Sequence, residues 1–70
     1  MKEVRASMAG TVLQVLVTEN EVVGEGQDVI ILESMKMEVP QNSHFTGKVV
    51  QVHVGIGDFV NEGDLLVSLE

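Results

Sequence analysis

Aliphatic runs alternate with short polar, glycine-bearing stretches along the whole chain. Thr11–Val17 and Lys48–Val54 are mostly apolar, each interrupted by one glutamine, Gln14 and Gln51. Val29–Glu33 and Leu65–Leu69 make a second matched pair, and Val4–Ala6 and Met37–Val39 are shorter. Valine dominates these runs, and β-branched side chains fit a pleated, half-buried surface. Helical spacing of apolar residues is nowhere sustained over the roughly 10 to 12 residues that a helix requires. Ala9-Gly10 and Thr46-Gly47 precede the long runs, and Gly24–Asp28 and Asn61–Asp64 precede the second pair. Glycine supplies the positive φ that such turns use. Thr18–Glu21 and Gly55–Asp58 read as equivalent loops. Pro40 cannot donate to a ladder, so it ends or edges its strand. Many short strands with regular turns predict an all-β sandwich or barrel.

The matched runs belong to a longer internal repeat. Residues 6–33 align without a gap on residues 43–70, and ten of the 28 pairs are identical, among them Gly10 with Gly47, Val12 with Val49, Gly26 with Gly63 and Leu32 with Leu69. Two copies fall short of the roughly three units that a solenoid needs. They predict instead one small core in which two similar halves, related by a pseudo-twofold, bury apolar faces against each other. Ser34–Asn42 joins the halves and has no counterpart in the repeat.

Size and charge narrow the classes. Seventy residues make at most one domain, of a size at which a single core is marginal. The chain lacks cysteine, which rules out disulfides and thiolate metal sites and fits a reducing compartment. No apolar run approaches the roughly 18 residues of a membrane helix, and Met1–Arg5 lacks the apolar segment of a signal peptide. These features predict a soluble, cytoplasmic protein, either complete or cleanly excised as a domain. A formal net charge of −7 disfavours nucleic acid and anionic membranes, which need clustered Lys and Arg, and favours a monomer. Phe45 and Phe59 are the only aromatic residues, too few for a stacking surface.

Conventional catalytic sets are missing. His44 and His53 lack an evident carboxylate to orient them, so they read as ordinary surface or partly buried imidazoles rather than metal ligands. No phosphate-cradling glycine motif and no Ser-His-Asp set occurs, so no catalytic residue and no metal site is expected. Lys36 is different. It stands in Glu33-Ser34-Met35-Lys36-Met37-Glu38, inside the unique joint. Ile30–Leu32 should be buried strand and Met37–Val39 should return beside it, which puts Ser34-Met35-Lys36 at a hairpin tip. Two-residue hairpin turns favour Asn-Gly because positive φ is required, and Met-Lys breaks that rule at an exposed place, where function is expected. On the residues alone, a solvated lysine between two core-packed methionines remains the alternative.

The hexapeptide resembles the biotin-attachment motif of biotin carboxyl carrier domains, typically Glu-Ala-Met-Lys-Met. The resemblance extends over essentially the whole chain, through the Gly10, Gly47, Glu25-Gly26 and Glu62-Gly63 turns and the two-half repeat, and is strongest to small stand-alone biotin/lipoyl attachment proteins. It implies a flattened β-barrel of two four-stranded antiparallel sheets related by a quasi-twofold axis, with the modified lysine on a hairpin tip. It implies that Lys36 accepts biotin from a biotin protein ligase, with Met35, Met37, Glu33 and Ser34 as ligase-recognition residues. The product would be a swinging arm serving a biotin carboxylase and a carboxyltransferase. The domain would be a carrier rather than an enzyme, since hard chemistry stays with the cofactor and its partner enzymes.

One position departs from the usual biotin pattern. Ser34 replaces the common Ala and is closer to the Thr of lipoyl domains, which typically read Glu-Thr-Asp-Lys-Ala. Met35 and Met37 are of the biotin type. Biotin is therefore the favoured cofactor, and lipoate from a lipoyl ligase is the second possibility, with dual acceptance of both as a variant. An unmodified β-barrel interaction module is the third reading.

Overall fold

The computed structural model of the chain describes residues 1–70. It contains eight strands and no helix: β1 (Lys2–Arg5), β2 (Gly10–Val15), β3 (Val22–Val23), β4 (Asp28–Ser34), β5 (Met37–Asn42), β6 (Gly47–Val52), β7 (Phe59–Val60) and β8 (Leu65–Leu69). They form two antiparallel four-stranded sheets, ordered β1-β8-β6-β3 and β5-β4-β2-β7. Shifting the chain by the repeat offset carries each sheet onto the other. The short strands β3 and β7 each cross to the sheet built mainly from the other half. The halves are therefore laced together rather than simply stacked.

The symmetry reaches individual hydrogen bonds. The Val12 N–H donates to the Asp58 carbonyl and the Val49 N–H to the Glu21 carbonyl, both at 2.8 Å. The Gly26 N–H donates to Ser43 O at 2.7 Å and the Gly63 N–H to Ala6 O at 2.8 Å. Even the loop caps are paired. Glu21 Oε1 accepts from the Thr18 N–H at 3.1 Å, and Asp58 Oδ2 accepts from the Gly55 N–H at 2.8 Å. Irregularities in register recur as well, between Val12 and Gln14 on β2 and between Val49 and Gln51 on β6.

Between the sheets lies one apolar core, in which Ile30, Leu32, Leu66 and Leu69 are fully buried among valines from both halves. Strand alternation supplies it on β4, where Ile30 and Leu32 are buried and Glu33 is exposed; on β2 the register shift after Val12 leaves Val12 buried and Gln14 exposed.

Of the two places expected for Pro40, the structure shows the edge: β5 continues through it to Asn42 and is the outer strand of its sheet, where a missing N–H is tolerated. Val22-Val23 and Phe59-Val60 stand out in no apolar run, because two residues are too few to display a period, yet they form β3 and β7. One expectation is corrected: Gly10 and Gly47 do not serve as positive-φ turn residues. They are required for close approach, since a Cβ at Gly10 would stand 2.7 Å from Glu33 O and one at Gly47 2.5 Å from Glu70 O. Positive φ is supplied instead by Gly26, Gly57 and Gly63.

Candidate functional site

The site is the β4–β5 hairpin, the longest strand pair in the molecule. Its register runs from Asp28 opposite Asn42 to Ser34 opposite Met37, which leaves Met35 and Lys36 as the two central turn residues. Both have positive φ, 53° and 64°, the signature of a type I′ turn, whose twist matches that of the flanking strands. For L-residues with a Cβ this conformation costs about 1–2 kcal/mol each. Neither residue is Gly or Asn, so the turn does not relieve the strain locally.

The support comes from below the tip. Ile30 and Leu32 anchor β4 in the core. Gly10 lets β2 lie close against the β4 backbone at Glu33. On the other side, the buried Gln41 of β5 holds the segment after β1: Ser7 N–H and Ser7 Oγ both donate to Gln41 Oε1, at 2.8 and 2.9 Å. No pattern in the sequence signalled the Ser7–Gln41 clamp, because its members are 34 residues apart. The close approach at Gly10 was visible only as a glycine.

At the tip itself, Lys36 is exposed and makes no hydrogen bond or ion pair. Met35 is 92% exposed and Met37 66%. Neither packs on the barrel end, so the alternative of two core-packed methionines does not describe this hairpin. Ser34 is half-buried. Glu33 and Glu38 face each other across the strands and are both exposed. The five residues Glu33–Met37 thus form one continuous tip.

Other features offer less. The molecule has no cavity that would enclose a ligand and no cluster of metal-binding side chains. His44 is exposed, and His53 Nε2 lies 2.7 Å from Ser68 Oγ. No helix is long and apolar enough to cross a membrane. What this geometry can do chemically is present one primary amine, clear of the body and backed by a stiff hairpin. That arrangement suits a covalently attached group rather than a pocket-bound one.

The biotin–lipoyl family model, described as "Biotin-requiring enzyme", matches residues 2–69. The chain belongs to this family. Among the relatives of this biotin/lipoyl domain, the "Biotinylated protein TB7.3 homolog" of Mycobacterium leprae is 42% identical over 97% of this chain and 96% of its own length. The "Biotin/lipoyl attachment protein" of Bacillus subtilis is 47% identical over 94% of this chain and 90% of its own. Of solved structures, the Kluyveromyces lactis urea carboxylase superposes with a TM-score of 0.92 at 28% identity, over 99% of this chain but 6% of that one. The same biotin/lipoyl fold therefore matches both short proteins, nearly end to end, and a small part of a large carboxylase.

Proposed function

We propose that residues 1–70 act as a biotin carrier, with Lys36 as the attachment residue. The observation that carries this reading is the exposed, unpartnered Lys36 amine at a strained two-residue turn, flanked by solvent-exposed Met35 and Met37. The family membership and the likeness to a carboxylase favour biotin over lipoate.

Attachment would form an amide between Lys36 Nζ and the acyl carbon of biotinyl-adenylate in the site of a biotin protein ligase, with the acyl–phosphate bond breaking, AMP leaving and the amine proton passing to a base. A lysine amine attacks as a nucleophile only after it has given up its proton to a base. No carboxylate or imidazole of this chain contacts Nζ, so the ligase supplies the base. Met35 and Met37 offer it flexible apolar contacts, and Glu33 and Ser34 complete the recognition surface. Lys36 would hold the biotin, whose chemistry there would be the carriage of a carboxyl group between enzymes. The chain contributes position. The ladder below the tip fixes the root of the arm, and tethering raises the effective concentration of the carried group at both partner sites. The partners are a biotin carboxylase and a carboxyltransferase, the carrier is monomeric, and the cysteine-free composition suits the cytoplasm.

The test is the intact mass of the protein after incubation with biotin, ATP and a biotin protein ligase, followed by peptide mapping. One biotinyl group on Lys36, absent from Lys36→Ala, is expected. An unmodified wild-type chain beside a modified control substrate overturns the reading, and a lipoyl mass gained only with a lipoyl ligase replaces biotin by lipoate.

A further inference from the structure

The chain has four methionines, and the fold sorts them by environment. Met8 packs against the core. Met1, 86% exposed, is beside Lys2, whose partner on β8 is Leu69, near the chain ends. Met35 and Met37 flank Lys36 with their thioethers in solvent. Exposure governs how readily a thioether is oxidised, and the sulfoxide converts a flexible apolar side chain into a polar one, which disrupts methionine-rich interfaces.

We propose that Met35 and Met37 are a reversible oxidation site that gates attachment at Lys36. This inference rests on the carrier reading. In the step, a sulfur lone pair attacks a peroxide oxygen. The O–O bond breaks, an S–O bond forms and water leaves, so that sulfur is oxidised by two electrons and peroxide reduced. A sulfoxide reductase reverses it with two electrons from a pair of thiols, which become a disulfide as the oxygen leaves as water. The backbone has no reason to respond, because neither side chain contributes to the core. The effect falls on recognition: a polar sulfoxide entering an apolar ligase groove without a hydrogen-bond partner is penalised, enough for a loss of modification rate of about tenfold or more.

The experiment uses apo protein treated with hydrogen peroxide, quenched with catalase, mapped by mass spectrometry and then offered to biotin protein ligase. Met35 and Met37 are expected to oxidise before Met8, the treated protein to be modified about tenfold more slowly, and a methionine sulfoxide reductase to restore the rate. The double variant Met35→Leu/Met37→Leu, whatever its own rate, is expected to show the same rate with and without peroxide. Met8→Leu, a volume-conserving change away from the tip, should leave the peroxide sensitivity intact. If untreated protein is not modified, the carrier reading fails and gating falls with it. If untreated protein is modified but the mapped sulfoxide form reacts equally fast, gating alone is overturned. Loss of rate that persists in the double variant, or that the reductase does not reverse, also overturns it.

Discussion

At the scale of single residues, the tip spends conformational energy on presentation. Met35 and Lys36 occupy the left-handed region that Gly would enter freely. Met35→Gly should therefore raise stability, by about 1 kcal/mol, read as a higher midpoint in urea unfolding. The same variant should be modified more slowly, since it removes an apolar contact beside Lys36, the proposed acceptor. A stabilised variant with unchanged modification kinetics would mean that Met35 contributes no recognition. The place of Lys36 at an exposed tight turn was legible in the sequence, because the apolar runs on either side of it predict a hairpin there. The solvent exposure of Met35 and Met37 was not legible, since methionine is equally at home in a core.

Elements carry that strain only because they are stiff. β4 is held by β2 on one side and β5 on the other, and Gly10 makes the first of these contacts possible. Gly10→Ala would push a methyl group against the Glu33 carbonyl, and Gly47→Ala would do the same at Glu70. Overpacking of this kind costs about 1–3 kcal/mol, so both variants should unfold at lower denaturant concentration by similar amounts. They should differ in modification. Glu33 adjoins the tip and Glu70 does not, so only Gly10→Ala is expected to slow attachment measurably; equal slowing in both would assign the effect to global stability. On the other flank, Gln41→Ala leaves the two Ser7 donors without their acceptor. A cost of about 1–3 kcal/mol follows, measurable by thermal unfolding. Of these elements, the long strands were readable from their valine runs. β3 and β7 were not, because their place in a sheet is set by partners from the other half, Gly47-Lys48 and Gly10-Thr11.

For the whole molecule, the halves are equal partners in one core. Leu32 and Leu69 are repeat equivalents, and both are fully buried. Leu32→Ala and Leu69→Ala should each lose about 2–5 kcal/mol, a large share of what a domain of this size possesses at about 0.05–0.15 kcal/mol per residue. Urea titration would check the near-equality; a large difference would mean that the halves relax unequally around the cavity. The repeat was plain in the sequence because it has no gap. The exchange of edge strands between sheets was not, since the offset is the same whether the halves stack side by side or interlace.

The offset has one more implication. β1 corresponds to β5 and β8 to β4, and Lys2 opposite Leu69 is the counterpart of Val39 opposite Leu32. Met1 and Glu70 therefore stand where a second copy of the hairpin tip would be. Bridging Glu70 to Met1 with Ser-Met-Lys-Met, and reopening the chain in the Thr18–Glu21 loop, would give a circularly permuted chain with matched hairpin tips on both sides. Such a molecule should fold with the same core and gain two cofactor masses per chain instead of one, turning a single-armed shuttle into a double-headed one.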